Sequence, residues 1–135
     1  MKKIVVIDGQ GGRLGQTIID TLVKANLEIE LLAIGTNSIA TQSMLKAGAK
    51  NGATGENPVV VAARDADVIV GPIGIVSADS LYGEVTPKMA LAIGESNALK
   101  LLLPVSHCNN QVIGVKQISI SEMDTEVLDR IKAIV

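Results

Sequence analysis

The stretch KIVVIDGQGGRLG at residues 3–15 decides the fold of this chain. After the lysine, residues 4–7 are apolar and β-branched, which is typical of a buried parallel strand. A cluster of glycines follows, and from Leu14 onward apolar residues recur at the spacing of an amphipathic helix. A strand, a glycine-rich turn and a helix in this order let backbone N–H groups and a positive helix end approach an anion. The stretch therefore predicts an α/β fold with a ligand-binding turn.

The spacing of the glycines separates this turn from known phosphate-binding turns. Gly9, Gly11 and Gly15 form a GxGxxxG pattern, one residue longer than the common dinucleotide fingerprint, and the Gly-Lys-Ser/Thr of a Walker loop is not present. Arg13 is placed to meet a phosphate, whereas the carboxylate of Asp8 would repel one unless it meets a ribose hydroxyl or a metal. The alternative is a tight turn that needs glycine only for close packing.

The second predicted strand, residues 28–34, does not end in the carboxylate with which NAD-binding proteins hold a ribose. Thr36, Asn37 and Ser38 stand there instead. This favours a 2′-phosphate, as in an NADP-like dinucleotide, or a ligand without adenosine. Asn37 or Ser38 is predicted to cap a helix that ends near Gly48. The polar, glycine-rich residues 50–57 are predicted to form a loop.

Residues 58–61 have strand propensity, but residues 66–70 form a better strand, and so few residues cannot join two parallel strands. The chain is therefore predicted to form a helix at residues 57–65. Further helices are predicted from Thr86-Pro87 to about Glu95 and at about 122–134. Strands are predicted at residues 100–105 and 111–118, the last antiparallel because its connection is short.

Together these elements predict a single Rossmann-like three-layer α/β domain over residues 1–135, with strand order about 2-1-3-4-5 and the last strand antiparallel. In that order a second glycine turn, residues 71–74, lies beside the first at the switch point of the sheet, where ligands bind. The alternative is a turn whose isoleucines pack in the core. The predicted ligand-binding residues are Gly9, Gln10, Gly11, Gly12, Arg13, Gly15, Thr36, Asn37, Gly71, Pro72, Ile73 and Gly74.

Other polar residues have a structural and a chemical interpretation. Glu56 is a general base, a ligand of a sugar hydroxyl or simply a first-turn acid of a helix. Glu84 and Glu95 are predicted to lie in solvent. His107 and Cys108 invite a nucleophilic or metal-binding role, but a small buried cysteine and a loop histidine are the simpler interpretation.

Composition excludes several classes of protein. The chain is 47% hydrophobic with a net charge of −2, which excludes a disordered chain and gives no overall charge for nucleic acid. Tyr82 is its only aromatic residue, which argues against base stacking on single-stranded nucleic acid. One histidine and one cysteine cannot build a closed four-ligand zinc site in one chain or a disulfide framework. The expected location is cytoplasmic, with no membrane segment.

Five stretches of the sequence, spread over residues 3 to 115, are long and unusual, and they carry a resemblance. They are VIDGQGG, GTNSIATQSMLKAGAKNGATGEN, ADVIVGPIGIV, GEVTPKMALAIGES and LPVSHCN. The chain resembles the domain-of-unknown-function family numbered 3842. The resemblance implies a bacterial, soluble, Rossmann-like protein and supplies no catalytic residues.

The predicted function is the binding of a phosphorylated small molecule, most plausibly a nucleotide or dinucleotide, at the glycine-rich loop. One alternative is an enzyme that acts at the same crevice through Glu56, Cys108 or Asp8. Another is a metal-handling accessory protein in which Cys108 and His107 are shared across a dimer. The last is a structural or regulatory partner with no small ligand. Apolar residues on the last helix and at 73–76 predict a homodimer.

Overall fold

Five strands form one sheet in the part of the chain that the structure, a computed structural model, describes, residues 1–105 and 109–135. The strands are β1 (Lys2–Asp8), β2 (Ile29–Gly35), β3 (Asn51–Thr54), β4 (Val68–Pro72) and β5 (Leu99–Leu103). Their order is β3-β2-β1-β4-β5, and every neighbouring pair is parallel. The carboxyl ends of all five strands therefore lie at one edge of the sheet.

Helices cover both faces of the sheet. They are α1 (Arg13–Lys24), α2 (Ser38–Lys46), α3 (Glu56–Ala63), α4 (Pro87–Glu95) and α5 (Ile120–Lys132), with a short 3₁₀ helix at Ile73–Val76. Apolar residues of α1, α2 and α5 pack in one core cluster, and those of α3 and α4 pack in a second cluster on the opposite face. The predicted three-layer α/β arrangement is thus present.

The alternation of side chains along β1 explains both cores. Ile4 and Val6 belong to the cluster under α1, α2 and α5, whereas Val5 and Ile7 belong to the cluster under α3 and α4. All four are at most 1% exposed. Fully burying such a side chain stabilises the fold by about 1.5–3 kcal/mol. A strand that is apolar on both faces must lie inside the sheet, and β1 is its central strand.

The predicted strand order, 2-1-3-4-5 with an antiparallel last strand, is wrong. The sheet has an additional edge strand, β3, where the sequence predicted a loop. Of the sequence Asn-Gly-Ala-Thr only the threonine favours a strand, but an edge strand needs backbone hydrogen bonds along one side only. Here β3 pairs with β2 in the register Leu32↔Asn51 to Gly35↔Thr54.

The predicted fifth strand at residues 111–118 does not form. The described residues 109–119 contain no strand, and Ile113 is 91% exposed. Strand propensity alone does not order this segment, because its β-branched residues gain no buried surface there. The parallel strand β5 is instead the edge of the sheet on that side.

Several local predictions are confirmed. Residues 57–65 fall largely in α3, and Asn37 caps α2 by accepting a hydrogen bond from Ala40 N–H. Thr86 caps α4, with Pro87 at its first position. Within the described residues, the structure contains no helix that is both long and apolar enough to span a membrane.

Candidate functional site

A cleft of about 640 Å³ lies at the carboxyl ends of β1 and β4. Ligands of open α/β sheets bind at this edge, and pockets for small molecules are typically about 300–1,000 Å³. The cleft is lined by the end of β1, the glycine loop, the first turns of α1, the end of β4 and the loop after it, one residue after β5 and the first residue of α5. These residues are Asp8, Gly9, Gln10, Gly11, Gly12, Arg13, Leu14, Thr17, Pro72, Gly74, Leu81, Val105 and Ile120.

The glycines of the loop serve different purposes. Gly12 has a left-handed backbone, with φ of 72°, and a Cβ there would lie 2.7 Å from the backbone of Ala40. A Cβ on Gly15 would lie 2.6 Å from the sulfur of Met44. A Cβ on Gly11 would meet nothing within 4 Å, and its φ is not positive. The fold therefore requires glycine at positions 12 and 15 but not at position 11.

The carboxylate of Asp8 caps the start of α1. Its Oδ1 accepts a hydrogen bond from Gly9 N–H at 2.8 Å, and its Oδ2 accepts one from Gly15 N–H at 2.7 Å. Burial raises the pKa of the Asp8 carboxyl above its ordinary value, and these two hydrogen bonds only partly offset the effect. The negative charge of Glu84 acts in the same direction as burial. Asp8 thus occupies part of the anion-binding end of α1.

Glu84 reaches the glycine loop from the other side. Its Oε1 accepts hydrogen bonds from Gln10 N–H at 2.8 Å, Thr36 Oγ1 at 2.7 Å and Asn37 Nδ2 at 2.7 Å. Partial burial acts to raise the pKa of Glu84, but the three hydrogen bonds outweigh it and hold that pKa below its ordinary value. The prediction that Glu84 lies free in solvent is wrong.

The loop that carries Glu84, residues 77–86, has an unusual backbone. Asp79, Leu81 and Tyr82 have φ of 63°, 55° and 57°, and Gly83 has φ of 87°. Left-handed backbone is uncommon for residues other than glycine and costs about 1–2 kcal/mol per residue. Contacts such as the hydrogen bond from Asp79 N–H to the Val85 carbonyl, at 2.7 Å, hold this loop in place. Tyr82 at its tip is 99% exposed.

The structure brings together seven of the twelve predicted ligand-binding residues along the cleft: Gly9, Gln10, Gly11, Gly12, Arg13, Pro72 and Gly74. Thr36 and Asn37 lie next to the loop, where they donate to Glu84 instead of lining the cleft. Gly15 packs against α2. Gly71 has no side chain, which lets β4 approach β1 closely, because a Cβ there would collide with the Ile7 carbonyl oxygen.

Ile73 and Glu56 lie away from the cleft. Ile73 lines a separate groove beside β5. Glu56 Oε2 accepts a hydrogen bond from Thr86 Oγ1 at 2.6 Å, which ties the start of α3 to the cap of α4. His107 and Cys108 lie outside the described residues. Among the described residues, three or more His, Cys, Asp or Glu side chains nowhere cluster as metal ligands would.

Sequence reasoning missed five of the lining residues: Leu14, Thr17, Leu81, Val105 and Ile120. Leu14 and Thr17 lie on the first turns of α1, directly after the glycine loop, a placement that their helical spacing could have indicated. Leu81, Val105 and Ile120 come from distant parts of the chain, and no local pattern marks them. The same holds for Glu84, which lies 74 residues from Gln10.

A second buried carboxylate lies between α1 and α5. Asp124 is 5% exposed, and its Oδ1 has no hydrogen-bond partner among the described residues. Burial raises the pKa of Asp124 above its ordinary value, with the hydroxyl of Thr17 acting in the opposite direction. It lines a shallow depression beside the cleft rather than the cleft itself.

Comparison with known proteins identifies the family. The family model for the domain of unknown function DUF3842 matches residues 3–135. The chain belongs to this family. No curated protein sequence matches this DUF3842 chain. A dodecameric FMN-dependent UbiX-like decarboxylase from Escherichia coli O157:H7 has a similar structure, with a TM-score of 0.49 and 15% sequence identity. The likeness covers 98% of this DUF3842 chain and 95% of that one.

Proposed function

We propose that this DUF3842 chain binds a small phosphorylated molecule, a nucleotide, in the cleft at the carboxyl ends of β1 and β4. The phosphate lies against Gly11 and Arg13, and the rest of the ligand extends toward Pro72 and Gly74. The proposed site consists of those residues of the predicted ligand-binding set that line the cleft.

Gly11 carries the proposal. Neither packing nor backbone conformation in the structure calls for glycine at this position, and Gly11 is exposed on the wall of the cleft. A bare backbone there allows close approach to an anion, which is the role of a central glycine in phosphate-binding turns.

Backbone donors and charge support the same position for the phosphate. None of the described residues accepts a hydrogen bond from Gly11 N–H or Arg13 N–H, whereas Gln10 N–H and Gly15 N–H already donate to carboxylates. Arg13, which carries a positive charge, is exposed and lines the same cleft. Because Asp8 occupies the N–H groups deeper in the turn, a phosphate binds further out, at Gly11 and Arg13.

The proposed ligand is closer in size to a mononucleotide than to a dinucleotide. Leu81 and Glu84 lie over Gly9, so the side of the turn toward β2 is closed in this conformation. Thr36 and Asn37, which the sequence suggested for a ribose or its phosphate, direct their donors to Glu84. The open side is the one toward β4 and β5.

The test is a comparison of two glycine variants. A thermal-shift screen of nucleoside phosphates identifies a ligand, and titration calorimetry then measures its Kd for the parent, Gly11→Val and Gly94→Val. Gly94 is exposed on α4, and a Cβ there also meets nothing within 4 Å, so it is a matched control. We expect Gly11→Val to lose binding and Gly94→Val to keep it, with both variants folded by circular dichroism.

Equal affinity of Gly11→Val and the parent would show that the glycine loop is a packing device only. Failure of every phosphorylated ligand to raise the melting temperature of the parent would refute the proposal directly, because a bound ligand must stabilise the folded state.

A second candidate function is proton transfer by Asp8. It is 6% exposed, lines the cleft and has a raised pKa, the combination found at many catalytic carboxyl groups. An enzyme of this kind loses turnover in Asp8→Asn while it retains ligand affinity. A binding module shows no turnover in either form.

A further inference from the structure

Three hydrogen-bond donors converge on a single oxygen atom at the carboxyl end of β2. They are Gln10 N–H, Thr36 Oγ1 and Asn37 Nδ2, and the acceptor in each case is Glu84 Oε1, at 2.7–2.8 Å. We call these three donors the β2-end cradle. The acceptor comes from a different part of the fold, the loop that follows β4.

The β2-end cradle is held in place by contacts that do not involve Glu84. Asn37 Oδ1 accepts from Ala40 N–H at 2.9 Å, and Asn37 Nδ2 also donates to the Gln10 carbonyl at 2.9 Å. Thr36 N–H donates to the Asp8 carbonyl at 2.9 Å. The three donors therefore keep their positions when the Glu84 side chain is removed.

Such a cradle is chemically suited to an anion. Several donors aimed at one point bind carboxylate or phosphate oxygens, and the start of α2 at Ser38 adds a positive helix end beside them. In dinucleotide-binding folds, the group that contacts the 2′ position of the ribose lies at this end of the second strand. Glu84 takes the place of an anion there.

We infer that Glu84 is a specificity-determining residue: it fills an anion subsite at the end of β2 and excludes ligands that would place a phosphate there. This rests on the proposed function, because it concerns the ligand of the adjoining glycine loop. The ligand of the adjoining cleft therefore carries no phosphate that reaches the end of β2, in contrast to the 2′-phosphate that Thr36 and Asn37 alone would suggest.

Inorganic phosphate is the probe, and its Kd is measured by titration calorimetry for the parent, Glu84→Ala, Glu84→Gln and Glu95→Ala. Glu84→Ala empties the β2-end cradle, so we expect it to bind phosphate about tenfold more tightly than the parent. Glu84→Gln keeps an amide oxygen in the cradle and should gain nothing. Glu95→Ala removes the same charge from an exposed position on α4 and should match the parent.

Two results would overturn the inference. One is the absence of any gain in Glu84→Ala, and the other is an equal gain in Glu84→Gln, which would attribute the effect to charge alone. If Glu84→Ala does not fold, Glu84→Ser empties the same cradle and takes its place in the comparison.

The glycine loop is tested separately in the same titrations. The gain of Glu84→Ala should persist when Gly11→Val is added, because the two subsites use different donors. Loss of the gain in the double variant would overturn the inference of a second subsite. Phosphate affinity in the parent that is insensitive to Gly11→Val would count against the proposed function, without affecting the result for Glu84.

Discussion

Gly11→Ala and Gly12→Ala should have opposite effects on stability although the two glycines are neighbours. At position 11 the new Cβ enters open space and φ is not left-handed, so the substitution mainly restricts the unfolded chain. Such changes stabilise a protein by about 0.4–1 kcal/mol. We therefore expect Gly11→Ala to be neutral or slightly more stable than the parent.

Gly12→Ala should be strongly destabilising for two separate reasons. A left-handed backbone with φ of 72° costs an alanine about 1–2 kcal/mol. The Cβ would also lie 2.7 Å from Ala40 Cα and 2.8 Å from the Ala40 carbonyl oxygen, both backbone atoms that cannot move alone. Overpacking of this kind costs about 1–3 kcal/mol, so the expected loss is about 2–5 kcal/mol.

Urea denaturation followed by far-ultraviolet circular dichroism measures both variants, because the chain has no tryptophan for a fluorescence measurement. The free energy of unfolding comes from linear extrapolation at a common slope. The reasoning would be refuted if Gly11→Ala lost more than about 1 kcal/mol, or if Gly12→Ala matched the parent. Either result would mean that the loop is packed differently from the structure described above.

Three further predictions concern titration and packing. Because burial raises the pKa of Asp124, the folded state holds the proton of this carboxyl more tightly than the unfolded state, and stability falls as the pH rises through that pKa. Asp124→Asn should therefore raise the melting temperature at pH 7. The difference from the parent should vanish near pH 3, where the carboxyl is protonated in both states. A phosphate bound beside Asp8 should raise that pKa further, so calorimetry in buffers of different ionisation enthalpy should detect proton uptake, and affinity should increase as the pH is lowered toward the pKa of Asp8. Ile131→Ala, at a fully buried position, should cost about 2–5 kcal/mol in urea denaturation, whereas Ile113→Ser, at a position 91% exposed, should stay within about 0.5 kcal/mol.

Patterns along the chain predicted the elements that bury apolar surface. The strand β1, the amphipathic helix α1 and the capped helices α2 and α4 each carry their signal within a few residues. The choice of a helix for α3 followed from the length needed to connect parallel strands. These signals also located the glycine loop at the correct edge of the sheet.

Two physical causes explain why the structure differs from the prediction elsewhere. The edge strand β3 is stabilised by its backbone pairing with β2, which leaves no trace in its polar side chains. Glu84 accepts hydrogen bonds from Gln10 and Asn37, which lie 74 and 47 positions away from it in the sequence. These contacts therefore exist only after the sheet has formed. Residues 111–118 show the converse, since strand propensity without a buried face does not produce a strand.

The exposed tyrosine at the tip of the 77–86 loop makes this protein its own spectroscopic reporter. Tyr82 is the only aromatic residue of the chain, and it lies two positions from Glu84. All aromatic absorbance and fluorescence therefore arise from one side chain on the loop that closes the β2 side of the crevice. A rearrangement of that loop that buries Tyr82 or brings a quenching group against it, on ligand binding or after removal of the Glu84 carboxylate, changes the emission of a single fluorophore without a label and without background from the core.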